Sequence, residues 1–270
     1  MKKIFGAIGY SLIENNNYKV LILSDIHDYI KSCDNKLDID YWLKSKMNTS
    51  TILLEEVPRD YIKIELKDLW NSEHTLKLKE LYINNKKMIK PIDIRPLLVP
   101  FSWEMNNIDI KLKKYIRLIT HFYGLKNEYL RSNLGLYNPS LLVNTNLGKH
   151  FLLNKKKFFN FIIENEKLLQ INIKDIDKNI LLKINDILDD IMEWYCIACI
   201  LDNKNKTLII HTGLYHSSKI KNYLQILYNF VVKEENGITN YITDDIVDNG
   251  CITILPSLDK QFGGFLSKEY

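Results

Sequence analysis

Three short apolar runs, each followed by polar side chains, constrain the fold of this chain more than any other feature. They are "YKVLILS", "STILLEEV" and "TLIIHTG". The runs are nearly continuous in apolar residues, which is typical of strands that are buried on both faces. A shorter run, "MIKPIDIRP", is bracketed by Pro91 and Pro96 and predicts a further strand. These strands favour a sheet covered by helices.

The middle of the chain instead has apolar residues at helical spacing. The segments with this spacing are "NIDIKLKKYIRLITHFYGL", "KKFFNFIIENEKLLQI" and "IKDIDKNILLKINDILDDIMEWYCIACILD". We therefore predict one α/β domain over residues 1–270, with a central, largely parallel or mixed sheet flanked by helices. A helical insertion is expected at about 105–203. "KIFGAIGYSLI" and "YKVLILS" are separated by a polar turn and predict a hairpin, whereas "TLKLKELYINNK" fits neither period.

Charge and cysteine content exclude several classes of protein. The net charge of +4 comes from 37 basic and 33 acidic residues, and no large basic patch predicts nucleic-acid binding. No apolar run approaches the ~20 residues of a membrane span. The four cysteines are too few and too scattered for a disulfide scaffold, so a reducing compartment, the cytoplasm, is expected. Cys196 and Cys199 lie in an apolar segment and are interpreted as buried helix residues.

Chemically capable side chains follow several of the predicted strands. They are Asp25 with His27, Glu55 with Glu56, Asp93 with Arg95, and His211 with His216. In α/β sheets the ligand site lies beyond the carboxyl ends of the strands. We therefore expect these groups to contribute to one site.

Imidazoles and carboxylates are ligands that Zn²⁺ or Mn²⁺ accepts, and a water bound to such an ion loses a proton near neutral pH. The hypothesis is a metal-dependent hydrolase of an ester or peptide bond in a small molecule or peptide. His27, His216, Asp25 and Glu55 would be metal ligands. An acid among Asp25, Glu55 and Glu56 would be the general base, and Asp93, Arg95 and His211 would orient these groups or the substrate.

Several of these residues also have a purely structural interpretation. Glu55 and Glu56 are adjacent, so on a strand they face opposite sides and at most one reaches the site. Asp93 and Arg95 share one strand face and could form a structural salt bridge, and His211 could serve packing alone. Other polar groups are interpreted as structural or as a solvated turn. They are His74, His121 and His150, and the acidic group Asp244, Asp245 and Asp248.

The order of "YKVLILSDIHD", "STILLEEVPRD" and "TLIIHTGLYHSSKIKNYLQIL" resembles the erythromycin esterase, ChaN-like and TIKI/TraB superfamily. Its members have a strand leading into Gly-Glu-x-His, a strand ending in glutamate, and a late strand with Gly-x-x-His before a helix. Gly213 to His216 keeps the late pattern in full. The first motif departs from the family, because Ser24 stands in place of glycine and Asp25 in place of glutamate.

This resemblance implies a central sheet flanked by helices, with a site built from the two motif histidines and nearby acids. Members of the superfamily include metal-dependent peptidases, esterases that act on macrolides, and a haem-binding lipoprotein. The resemblance therefore implies a fold and a site but no particular substrate.

Two other readings remain open. "LILSDIHD" is similar to the opening Asp-x-His motif of calcineurin-like metallophosphoesterases, but the later blocks of that family are missing from the sequence. The altered first motif also fits a non-catalytic binding or structural protein on the same fold, such as a component of a viral particle. The composition, rich in lysine, asparagine and isoleucine, is typical of AT-rich genomes.

Overall fold

The protein is described here from a computed structural model that covers residues 3–28, 30–58, 72–99, 109–126, 145–241 and 250–264. It has the predicted α/β fold. The strands are β1 (Lys3–Phe5), β2 (Gly9–Glu14), β3 (Lys19–Asp25), β4 (Lys36–Asp38), β5 (Thr51–Leu54), β6 (Ile89–Pro91), β7 (Thr207–Gly213), β8 (Val231–Gly237) and β9 (Cys251–Thr253). The helices are α1 (Ile39–Lys46), α2 (Glu73–Asn84), α3 (Arg95–Leu98), α4 (Leu112–Tyr115), α5 (Arg117–Tyr123), α6 (Asn146–Glu164), α7 (Lys178–Leu201), α8 (Leu214–Tyr228) and α9 (Pro256–Gln261).

The chain divides into two compact units. One comprises Met1–Glu56, Asp68–Ile92 and Asn203–Tyr270, and the other comprises Val57–Lys67 and Asp93–Asp202. We call them the sheet unit and the helical unit, because every strand in the described ranges belongs to the first. The helical unit includes residues 105–202 of the insertion predicted at about 105–203, together with Val57–Lys67 and residues 93–104, and the single domain with an insertion stays a prediction.

A six-stranded mixed sheet forms the centre of the sheet unit. Its strand order is β6-β5-β7-β3-β2-β8, with β6, β5, β7 and β3 parallel and β2 and β8 antiparallel to their neighbours. The predicted hairpin is confirmed, since β2 pairs with β3 from Gly9 opposite Ser24 to Glu14 opposite Lys19. A three-stranded sheet, β4-β1-β9, lies in the same unit.

The core of the sheet unit explains why the apolar runs become strands. Leu21, Leu23, Ile52, Leu54 and Ile209 point to one face of the large sheet and belong to a buried cluster that also contains residues of α1 and α2. The intervening residues of these strands are buried as well. Both faces are therefore covered, as the near-continuous apolar runs predict.

The helical unit is built around long helices whose apolar spacing is visible in the sequence. Aromatic rings of α5, α6 and α7 pack together, with Phe151 and Trp194 centroids 5.1 Å apart and Tyr123 stacked on Phe158 at 5.2 Å. Cys196 and Cys199 are buried in α7, as predicted. The described helices include none that is long and apolar enough to cross a membrane.

A disulfide joins Cys33 to Cys251 across 218 positions of the sequence. The sequence analysis did not predict this bond, because spacing alone does not show which cysteines are close in the fold. Disulfides are typical of oxidising environments. The reducing compartment expected from the cysteine count is therefore not supported by these two residues.

Candidate functional site

The carboxyl ends of three parallel strands bring the predicted groups of the sheet unit together. In the register of the sheet, Leu23 lies beside His211, and His211 lies beside Leu54. Asp25, two residues beyond Leu23, faces the same side of the sheet as Leu23. Glu55 directly follows Leu54, and its N–H donates to the His211 carbonyl at 3.0 Å, so Glu55 lies at the same edge of the sheet.

His27 connects the two acids. It lies in the loop just after β3, with Nδ1 3.1 Å from Asp25 Oδ2 and Nε2 3.0 Å from Glu55 Oε2. The side chain of His27 is 13% exposed, whereas those of Asp25 and Glu55 are 0% and 5% exposed. An imidazole held between two nearly buried carboxylates is the central feature of the site.

Helix α8 brings the second motif histidine to the same carboxylate. His216 Nε2 lies 3.5 Å from Glu55 Oε1, and the Gly213 N–H donates to Glu55 Oε2 at 2.7 Å. Gly213 allows the close approach, because a Cβ there would lie 3.0 Å from His27 Nε2. The predicted convergence of His27 and His216 on one rim of the sheet is thus present in the structure.

Ser24 and Asp25, the two positions at which the first motif differs from the superfamily that it resembles, both make defined contacts. Ser217 of α8 donates from its hydroxyl to Ser24 Oγ at 2.9 Å, so Ser24 ties β3 to the helix that carries His216. Asp25, although shorter than glutamate, reaches His27 as described above. The altered motif therefore still places an acid beside His27.

His74 is a site residue that the sequence analysis missed. It lies in the first turn of α2 and is 1% exposed, with Nε2 2.9 Å from Asp25 Oδ2. His74 was interpreted as structural because it lies in a helical or loop context and does not follow a predicted strand. A chain of contacts therefore runs from His74 through Asp25, His27 and Glu55 to His216, and we call it the acid–imidazole chain.

The charges in this chain determine where its protons lie. Burial alone would raise the pKa of Asp25, but hydrogen bonds from His27 and His74 outweigh it and hold that pKa well below its usual range. Burial alone would lower the pKa of His27, but the charge of Glu55 and the hydrogen bond with Asp25 raise it to about 10. Near neutral pH, His27 is therefore an imidazolium between two carboxylates.

His211 has a different environment. It is 2% exposed inside β7, and its Nε2–H donates to the Gly6 carbonyl at 2.7 Å. Burial lowers the pKa of His211 despite the opposing charge of Asp25, so the ring is neutral near pH 7. His211 links β7 to the turn between β1 and β2, and its predicted orienting role stays a prediction.

The remaining predicted residues are distributed as follows. Glu56 lies just after β5, where its N–H donates to the Leu54 carbonyl at 2.7 Å, and its predicted role as an alternative to Glu55 stays a prediction. Asp93 and Arg95 belong to the helical unit, where Arg95 Nε is 2.7 Å from Asp93 and Nη1 is 2.7 Å from Asp189. These contacts match the structural salt bridge, while substrate orientation stays a prediction. Asp244, Asp245 and Asp248 lie outside the described residues.

The donor types of the site are those that Zn²⁺ or Mn²⁺ binds, but their arrangement differs from a metal site. In the part of the chain that the structure describes, no three His, Cys, Asp or Glu side chains are grouped around one point that could hold a metal ion. The donors of the acid–imidazole chain contact each other in pairs instead. Asp25 Oδ1 is the exception: it is buried and has no hydrogen-bond partner among the described residues.

Comparison of the chain with protein-family models, with curated proteins and with solved structures finds no match. The resemblance to the erythromycin esterase, ChaN-like and TIKI/TraB superfamily therefore stays a prediction from the motifs.

Proposed function

We propose that this protein is a hydrolase of ester or peptide bonds whose reaction depends on the acid–imidazole chain. The observation that supports this most is the position of His27, whose two ring nitrogens contact the buried carboxylates of Asp25 and Glu55. A cationic imidazole beside a carboxylate supplies both a proton donor and a proton acceptor. Hydrolysis of an acyl bond needs both.

In this proposal Glu55 removes a proton from the attacking water, and the oxygen forms a bond to the acyl carbon. The Nε2–H of His27 gives its proton to the leaving oxygen or nitrogen as the bond to carbon breaks. The proton taken up by Glu55 is then released to solvent, and His27 takes up a proton from solvent, which restores the starting state. Asp25 stays ionised throughout and stabilises the His27 ring in one orientation.

His216 and Gly213 have supporting roles in this scheme. The Gly213 N–H fixes Glu55 Oε2, so that Oε1 is the oxygen we assign to the water. His216 Nε2 is 3.5 Å from Oε1, longer than a normal N–H···O hydrogen bond. We assign to His216 the contact with the substrate carbonyl oxygen.

Membership of the superfamily is also part of the proposal, and dependence on Zn²⁺ or Mn²⁺ is its alternative form, in which His27 would bind the ion as a neutral imidazole instead of donating a proton. If a metal binds, His27, His216, Asp25 and Glu55 are the residues expected to hold it. It would supply a water of lowered pKa. Elemental analysis of the purified wild type beside a His27→Ala, His216→Ala double variant tests this point. Equal and negligible divalent metal in both proteins would contradict metal dependence.

The activity is tested with nitrophenyl esters, nitroanilide peptides and a bis-nitrophenyl phosphodiester, each with and without added Zn²⁺ or Mn²⁺. We expect turnover of an ester or a peptide by the wild type, and a loss of about 10²- to 10⁴-fold in kcat/KM for His27→Gln. His121→Gln, which changes a histidine of the helical unit, is the matched control and should keep wild-type activity.

Three results would contradict the proposal. One is no turnover of any ester or peptide by folded wild-type protein, which favours the non-catalytic alternative. Another is turnover that His27→Gln leaves unchanged. The third is cleavage of the phosphodiester alone with Mn²⁺, which favours the phosphoesterase alternative.

For location, we propose a compartment that preserves the Cys33–Cys251 bond. The cytoplasm predicted from the cysteine count would reduce such a bond, whereas the alternative prediction, a viral particle, is compatible with it. Counting free thiols in protein that is denatured without reductant tests this proposal. We expect two per chain, from Cys196 and Cys199. Four free thiols in protein from native material would contradict it.

A further inference from the structure

We propose that His74 is a positioning residue for the hydrolysis described above: it holds Asp25 so that Asp25 fixes the ring of His27. This inference rests on the proposed function and extends it to a residue that touches neither water nor substrate in the scheme.

One oxygen of Asp25 carries the link between the two histidines. Asp25 Oδ2 lies 2.9 Å from His74 Nε2 and 3.1 Å from His27 Nδ1. An ionised carboxylate only accepts hydrogen bonds, so both rings donate to it. Because His27 donates through Nδ1, its Nε2 is directed at Glu55, which is the contact that the reaction uses.

His74 is itself held firmly from several sides. Its Nδ1 is 3.2 Å from Ser72 Oγ, in the residue that precedes α2. Its ring packs edge-on against Phe5, with centroids 5.9 Å apart. Gly6, at φ +105°, lies so close that a Cβ there would be 3.2 Å from the His74 Cβ. A side chain fixed in this way is a rigid anchor for Asp25.

Asp25 needs such an anchor because its own surroundings hold it incompletely. Its other oxygen, Oδ1, is buried without a hydrogen-bond partner among the described residues. Without His74, the carboxylate would keep only the bond to His27 at Oδ2 and could rotate about its Cβ–Cγ bond. The ring of His27 would follow, and its Nε2 would leave the line to Glu55. A displacement of this size is enough to lower the rate of a proton transfer.

The test compares two variants at His74. His74→Leu removes the donor and keeps an apolar side chain, whereas the amide of His74→Gln restores an N–H toward Asp25. With the ester or peptide that the wild type turns over, we expect His74→Leu to lower kcat about 10- to 100-fold and to leave KM nearly unchanged. We expect His74→Gln to recover most of the loss. His121→Leu is the matched control, with no change in either constant.

A second readout does not depend on activity. In the wild type, the ring N–H protons of His27 and His74 should appear as separate downfield NMR signals, because both are hydrogen-bonded to a buried carboxylate. In His74→Leu the His27 signal should broaden or disappear, and in His74→Gln it should return. If the wild type has no hydrolytic activity but the signals behave in this way, the proposed function fails and the positioning of His27 by His74 stands.

The inference is overturned by either of two results. One is a kcat and a His27 signal that His74→Leu leaves at wild-type values. The other is equal impairment of His74→Leu and His74→Gln with equal loss of thermal stability, because that pattern indicates packing rather than orientation of Asp25.

Discussion

At the scale of single residues, the site depends on which of two adjacent acids reaches it. Glu55 and Glu56 are equivalent in the sequence, and strand alternation predicts only that they diverge. The structure assigns the contacts to Glu55, which touches His27 and accepts the Gly213 N–H. The same change, glutamate to glutamine, can therefore be compared at Glu55 and at Glu56.

We predict that Glu55→Gln lowers kcat/KM for the ester or peptide substrate by about 10²-fold or more, because the amide cannot take a proton from water. Glu56→Gln changes the neighbouring acid in the same way and should stay within about threefold of the wild type. Steady-state kinetics of both variants check this prediction. Equal losses in the two would contradict the assignment of Glu55.

The raised pKa of His27 predicts how stability depends on pH. The ordinary pKa of 6.5 applies to the unfolded chain, whereas the folded value is about 10. The stabilisation by His27 is therefore fully present below pH 6.5 and is lost as the pH rises through 10. Between pH 7 and 10.5 the wild type should lose on the order of 4 kcal/mol more unfolding free energy than His27→Gln. Denaturant unfolding at both pH values measures the difference, and equal losses would contradict it.

The sequence predicted which residues come together at the site where those residues lie next to a recognisable strand. His27, Asp25, Glu55 and His216 each follow or flank a predicted strand, and the structure brings them together. His74 was not predictable in this way, because its approach to Asp25 depends on how α2 packs on the sheet. No local pattern encodes that packing.

At the scale of elements, the connection from β7 to α8 matters most. Gly213 is the last residue of β7, with φ −55° and ψ 150°, angles that an alanine also adopts. The glycine is therefore needed for space rather than for backbone conformation, since a Cβ would lie 3.0 Å from His27 Nε2.

Gly213→Ala should therefore disturb the site without straining the backbone. The added methyl group must displace the His27 ring by a few tenths of an ångström. We predict a loss of at least about tenfold in kcat/KM, because small displacements of reacting groups are costly. Gly124→Ala, in the helical unit, is the control. Kinetics and thermal unfolding of both variants check this, and wild-type kinetics for Gly213→Ala would contradict it.

Elements were predictable in proportion to the clarity of their pattern. β3, β5 and β7 follow from nearly continuous apolar runs, and α6 and α7 from helical spacing. α2 could not be assigned, because "TLKLKELYINNK" alternates at first and only then takes helical spacing. The segment forms a helix because this conformation places Leu78 and Leu81 in the buried cluster of the sheet unit.

At the scale of the whole molecule, the disulfide is the longest covalent constraint. Cys33 lies in the connection that also carries His27, and Cys251 begins β9. The Gly250 N–H donates to the Lys31 carbonyl at 3.1 Å, so the same two segments are also joined by a backbone hydrogen bond. The disulfide therefore joins the β3–β4 connection to the start of β9, two segments of the sheet unit that are far apart in the sequence.

We predict that a Cys33→Ala, Cys251→Ala double variant loses roughly 2–5 kcal/mol of unfolding free energy, because its unfolded chain is less constrained. Reductant should destabilise the wild type by a similar amount and leave the double variant unchanged. Denaturant unfolding with and without reductant measures both effects. An unfolding free energy of the wild type that reductant leaves unchanged would contradict this prediction.

The fold class was predictable from the sequence as a whole, but the pairing of distant segments was not. Apolar runs and helical spacing are local, and they indicate an α/β protein with a helical middle section. The order of strands, the antiparallel edge formed by β8 and the Cys33–Cys251 bond depend on contacts between remote residues. A single sequence does not show such contacts.

The most direct test of this account is a double-mutant cycle on the unfolding free energy of His27→Gln and Glu55→Gln. If the imidazole and the carboxylate are in contact, the two changes should be non-additive, with a coupling of about 1–3 kcal/mol. The same cycle on His27→Gln and Glu56→Gln should give a coupling below about 0.5 kcal/mol. Additive effects of the His27 and Glu55 changes would show that the two groups do not meet, and the acid–imidazole chain would be wrong.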